Sequence, residues 1–167
     1  FTYSPATNMI QSLKYILLTL ITCMLTLTAS AQKEEDFASR YMTLYAQGTS
    51  LECTTLSPDM MELILGLPSV EGNGLAKELL SQLKSIRVVK NSAKAETAKL
   101  FGLAHSLAQK NAKRYKLFAE EGDKQMYIRR HEGKIVEIVM FMHNGHFQML
   151  NVTGNISESF LQQVLKI

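Results

Sequence analysis

The sequence predicts an α+β domain with a mainly antiparallel sheet, a C-terminal four-stranded meander and helices packed on one face. Three observations carry this expectation. Turn residues recur at short intervals through residues 115–154, at Gly122-Asp123, Gly133 and Asn144-Gly145. Between them lie short runs rich in β-branched, aromatic and methionine side chains, as strands are. Residues 93–113, in contrast, place Leu100, Leu103, Ala104, Leu107 and Ala108 at helical spacing. With 46% hydrophobic residues, residues 32–167 suffice for one domain with a sizeable core.

Met9 reads as the start of the chain, which leaves residues 1–8 as an upstream segment not expected to be native. Lys14, an apolar run over residues 15–27, and Ala29-Ser30-Ala31 then form a basic lead, a short apolar centre and an A-x-A ending. Residues 9–31 are therefore expected to be a secretory signal peptide cleaved after Ala31, delivering the protein to the periplasm or beyond. The run is shorter than the roughly 20 residues that span a bilayer and contains three threonines, which argues against a transmembrane anchor. Cleavage would leave Cys53 without a partner for an internal disulfide, and no C-x-x-C motif is present. In its alternating strand pattern, Cys53 reads as a buried structural thiol.

In order along the mature part, Phe37, Tyr41, Leu44 and Tyr45 mark a helix ended by Gly48. Residues 50–56 read as a strand. Ser57-Pro58-Asp59 opens a helix, with Ser as N-cap, Pro at the first position and Asp complementing the dipole. Met60 to Leu65 is apolar nearly all round, so this helix is expected to lie deep in the core. Gly66, Pro68 and Gly72-Asn73-Gly74 break the chain. Residues 75–83 form a short helix, 86–89 a short strand, and 93–113 the longest helix, which is expected to cover the meander. Residues 156–165 close the chain as a helix capped by Asn155 or Ser157.

Turn chemistry sets the register of the meander. A two-residue Asn144-Gly145 turn pairs Met142 with Phe147 and Met140 with Met149. A Gly122-Asp123 turn pairs Ala119 with Met126 and Leu117 with Ile128. A three-residue loop, His131-Glu132-Gly133, joins the two hairpins on a common face, because a slip of one residue flips every side chain. The expected core face is Tyr115, Leu117, Ala119, Met126, Ile128, Val136, Ile138, Met140, Met142, Phe147 and Met149. The other face mixes apolar and charged groups, and Phe118, Tyr127, Arg129, Phe141, His143 and His146 there form a candidate binding surface.

Charge lies in blocks. Residues 32–83 hold eight acids and three bases; residues 84–116 hold nine bases and one acid. Lys99, Lys110, Lys113 and Arg114 form a candidate anion-binding face for a headgroup, an acidic glycan or an acidic envelope protein. The competing reading is a solvated helix face, or bases turned toward the chain's own acids. An exported protein without interleaved aromatics is not expected to bind nucleic acid. His143 and His146 flank a turn and are expected to stand opposite each other, with Glu137 further along the same side, which makes them weak candidate metal ligands. The strong zinc patterns are absent, and no cofactor is expected. Ser81-Gln82-Leu83-Lys84 matches S-x-x-K without its partner motifs, and Gly72-Asn73-Gly74 lacks the rest of any phosphate loop.

Several segments carry a resemblance: Gly48-Thr49-Ser50, residues 57–63, Leu83-Lys84-Ser85-Ile86-Arg87-Val88, Gly133-Lys134-Ile135-Val136-Glu137-Ile138 and Asn151-Val152-Thr153-Gly154-Asn155-Ile156. Their order resembles the domain of unknown function 4252 family of small exported bacterial proteins, over residues 37–167. The resemblance implies export and a compact α+β domain, and brings no activity or ligand. The functional expectation is a non-catalytic binding or regulatory domain of the cell envelope. Two alternatives stand beside it: a small hydrolase or metal-assisted enzyme using the His143/His146 hairpin, and a structural homo-oligomer.

Overall fold

The computed structural model describes Tyr15 and residues 35–165. The chain divides into two units, residues 1–35 and 36–167, and the second carries the fold. The expected upstream segment and signal peptide lie outside the described residues, apart from Tyr15.

The second unit opens with helix α1 (Phe37–Tyr45), followed by strand β1 (Leu51–Leu56) and three short helices, α2 (Pro58–Leu65), α3 (Pro68–Glu71) and α4 (Gly74–Ser81). Strand β2 (Leu83–Asn91), a single 3₁₀ turn (Lys94–Glu96) and helix α5 (Thr97–Lys110) come next. The meander then runs through β3 (Tyr115–Glu121), β4 (Lys124–His131), β5 (Lys134–Asn144) and β6 (His146–Ile156), and α6 (Glu158–Val164) closes the chain. Among the described residues the strands form one antiparallel sheet in the order β1-β2-β6-β5-β4-β3. The α+β class and the C-terminal meander are as expected.

The helices lie on both faces of the sheet rather than on one. On the first face, Val89, Tyr115, Tyr127, Val139, Phe141, Phe147 and Met149 pack with Phe37 and Tyr41 of α1 and Leu100, Ala104, Leu107 and Ala108 of α5. On the second, Met126, Ile128, Ile138, Met140 and Val152 pack with Met61 of α2, Phe160 and Leu161 of α6, and Leu79 and Leu80 of α4. The physical reason is in β5, where Ile135 to Phe141 is apolar at nearly every position, so both sides must leave water.

Turn geometry explains the differences in register. Asn144 is not among the residues with positive φ, whereas Gly145 is, at 76°. A type I′ turn needs positive φ at both positions, so it does not form. Instead His143 pairs with Phe147 and Phe141 with Met149. That slip of one residue carries Phe147 and Met149 away from Met140 and onto the first face. At the middle hairpin Glu132 (φ 50°) and Gly133 (φ 78°) make the two-residue turn, closing His131 against Lys134. The extra residue enters later, at Val136, where Arg130 pairs with Ile135 and Arg129 with Glu137. Met126 and Ile128 still share a side with Ile138 and Met140, by a two-residue turn plus a bulge rather than a three-residue loop. In the first hairpin Ala119 pairs with Met126 as expected. A second bulge then sets Leu117 against Tyr127 instead of Ile128 and turns Tyr115 into the first core.

Helix α2 also departs from expectation. Only Met61 is buried, and its other side faces outward. The longest helix is shorter than its periodicity suggests, 97–110 rather than 93–113, because the 3₁₀ turn precedes it.

Candidate functional site

The mixed face expected to bind a ligand is largely interior. Tyr127 and Phe141 stack at 5.6 Å, Phe37 of α1 stacks on Phe141 at 6.1 Å, and Phe101 of α5 meets Phe141 edge-on at 5.5 Å. The Arg129 guanidinium is buried and donates to the Glu137 carboxylate at 2.7 Å. Phe118 is exposed at the β3 bulge, away from the aromatic stack.

Glu137 is fully buried and completely engaged. It accepts the Phe37 N–H (2.7 Å), the Asn151 side-chain amide (3.0 Å) and the Tyr115 hydroxyl (3.0 Å) besides Arg129. The Asn151 carbonyl oxygen takes the Ala38 N–H at 2.9 Å, and Asp36 takes the Ser39 N–H at 2.8 Å and the Arg87 guanidinium at 2.9 Å. The first three N–H groups of α1 are thus satisfied by side chains, two of them from the sheet. A carboxylate there also complements the helix dipole. Burial, with Glu137 adding to it, pushes the Tyr115 phenol above its ordinary range. This network seats α1 on the sheet and leaves Glu137 no lone pair for chemistry.

The histidines do not stand together. His143 faces the α1/α5 side, with its ring 4.7 Å from that of Phe101 and Nε2 3.4 Å from Asp123. His146 pairs with Asn144, and its parity places it on the opposite face of the sheet. Glu137 lies six residues from His143 along β5, about 20 Å at ~3.3 Å per residue. Among the described residues no group of three or more His, Cys, Asp and Glu side chains is placed to hold a metal ion.

Of the candidate anion-binding residues, Lys99, Lys110 and Lys113 are exposed, and the Arg114 guanidinium lies 5.6 Å above the Tyr115 ring. Lys99 and Lys110 are three turns apart on one side of α5, so they do not converge. Arg87, from the same basic block, faces Asp36 of the acidic one.

A surface that the sequence reading placed in the core is exposed instead. Ser57 caps α2 by accepting the Met60 N–H at 3.4 Å, and Asn73 caps α4 by accepting the Ala76 N–H at 3.2 Å. Met61 and Ile64 of α2 and Leu79 and Leu80 of α4 turn toward the second core. That leaves Leu63 (74% exposed), Leu75 (60%), Leu67 (49%) and Met60 (44%) open to water on the helical cap. The same stretch carries Asp59, Glu62, Glu71 and Glu78, with Lys77 as the one base between residues 57 and 81. Exposed large apolar side chains in an acidic helical segment make this, among the described residues, a candidate docking surface. The signal was the all-round apolar character of α2, which marks an interface as readily as a deep core.

A family model described as domain of unknown function (DUF4252) matches residues 45–164. Comparison with curated proteins and with solved structures returns no match.

Proposed function

The chain belongs to the DUF4252 family, and from that premise we propose a non-catalytic, exported domain of the bacterial envelope that docks a protein partner on its helical cap. The carrying observation is the outward set of Met60, Leu63, Leu67 and Leu75. Exposing such side chains costs solvation free energy that a partner's apolar surface recovers. The acids of the same segment select the occupant: an amphipathic helical segment with an apolar stripe and flanking Lys or Arg. The same acids repel anionic headgroups. Export is supported by the basic lead, short apolar run and A-x-A ending of residues 9–31.

The test uses two synthetic amphipathic peptides with the same leucine stripe, one flanked by lysines and one by glutamates. The lysine peptide is expected to shift the methyl resonances of Met60, Leu63, Leu67 and Leu75, more weakly as salt rises, and Leu63→Ser to weaken it at least tenfold. Equal binding of the two peptides, binding of neither, or self-association through the cap seen by light scattering would overturn the reading. For export, the purified cellular protein is expected to begin at Gln32 by mass spectrometry. A chain that keeps residues 9–31 overturns that part.

A further inference from the structure

A second surface, on the far side of the chain's acidic cap, carries an independent assignment. The register sets Glu52 of β1 opposite Lys90 of β2, and Lys90 opposite Gln148 of β6. All three stand in one row on the second face of the sheet. The row falls at the end of that face away from Leu56 and Leu83, where α2 and α4 pack. The result is a hollow of about 300 Å³ lined by Glu52, Lys90, Asn91, Ser92, His146 and Gln148.

The frame of the hollow is braced. Asn91 is 5% exposed; its side-chain oxygen accepts the Phe147 N–H at 2.7 Å, and its amide donates to the Ala93 carbonyl at 2.8 Å. Ser50 accepts the Ser92 and Ala93 N–H groups at 3.2 and 2.9 Å and donates to Glu96 at 2.6 Å. Thr97 donates to the Gly145 carbonyl at 3.3 Å. The ends of β1, β2 and β6 are thus held together by the side chains of Asn91, Ser50 and Thr97. The side chains of Glu52, Lys90, His146 and Gln148, in contrast, form no hydrogen bond or ion pair among the described residues. Glu52 and Lys90 are direct cross-strand neighbours that do not pair with each other. All four side chains are exposed at the rim of this braced, solvent-open hollow, where a small polar ligand would supply the partners that the protein itself does not.

We propose that this hollow binds a small hydroxylated carboxylate of the uronic-acid class. Lys90 takes the carboxylate, with His146 as a further donor beside it. The Glu52 carboxylate accepts ligand hydroxyls, and the Gln148 amide both donates and accepts. Neither a bare anion nor a neutral sugar satisfies both charges.

The probes are glucuronate, glucose, acetate and a short glucuronate oligomer, titrated into the full protein by ¹H–¹⁵N NMR. Glucuronate is expected to shift the Gln148 side-chain amide and the Ser92 backbone, with glucose and acetate at least tenfold weaker. Lys90→Gln is expected to abolish the response, Glu52→Gln to weaken it several-fold, and Lys110→Gln to leave it unchanged. Because Glu52 and Lys90 make no contacts of this kind, the variants are expected to keep the parent melting temperature, so lost binding is separable from lost folding. A tighter oligomer than monomer identifies the ligand as part of a polymer; equal affinity per residue identifies the free acid. No shift with glucuronate, or acetate matching glucuronate, overturns the proposal.

Discussion

The carboxylate of Glu137, in the middle of the sheet, accepts the backbone N–H of Phe37 at 2.7 Å across a hundred residues of sequence. That bond, with Asn151 on Ala38, converts the first turn of α1 into part of the sheet's hydrogen-bond network. Glu137→Ala is expected to destabilise the domain by about 3–5 kcal/mol, because it removes the buried carboxylate that the Arg129 Nε–H, the Tyr115 hydroxyl and the Asn151 amide donate to, and bares a helix N–H. Glu137→Gln, which keeps an acceptor for Phe37, is expected to cost less. Urea unfolding followed by circular dichroism measures both, and an unchanged midpoint for Glu137→Ala would contradict the anchoring role.

A pair of glycine substitutions separates a close approach from mere flexibility. A Cβ at Gly154 would run into the Gln82 carbonyl and lie 2.9 Å from the Leu83 Cα, whereas one at Gly102 on α5 meets nothing within 4 Å. Gly154→Ala is expected to cost about 1–3 kcal/mol by forcing β2 and β6 apart. Gly102→Ala is expected to add about 0.5–1 kcal/mol by favouring the helix. Melting temperatures moving in opposite directions check this.

Helix α2 offers a contrast between its two sides. Met61→Ala, in the second core, is expected to cost about 2–5 kcal/mol. Leu63→Ser, on the exposed side, is expected to stay within about 0.5 kcal/mol of the parent while weakening binding of an apolar dye. A large loss of stability in Leu63→Ser would mean that the cap is not an open surface.

Glu96 sets an acid-dependent contribution. Its carboxylate is held below the usual range first by the Ser50 hydroxyl, then by the Ser50 N–H and Lys99. A depressed folded-state value stabilises the protein above the unfolded carboxylate range, and that contribution fades as pH falls through the lower folded value. Denaturant midpoints measured from neutral to acidic pH are expected to fall less steeply in Glu96→Gln than in the parent.

Much of the fold was legible because its signals are local. Ser57-Pro58, the apolar stripe of α5 and the glycine turns each act within a few residues, and each element stands near where those signals put it. The register was less legible, since one φ angle at Asn144 decided the side on which Phe147 and Met149 fall. The candidate surface fared worst for the same reason: Tyr127, Arg129 and Phe141 look like a mixed outer face until α1 and α5 are laid over them.

The sequence by itself determined most of the elements (not the short helix α3, where it read a chain break), the antiparallel class and the family, because propensity, capping and turn chemistry are properties of neighbouring residues. Only the tertiary structure decided that both sheet faces are covered, that Glu137 is an anchor rather than a reactive group, and that Leu63 faces water. Those outcomes depend on residues far apart in the chain competing for the same buried area, and no short window of sequence contains that competition.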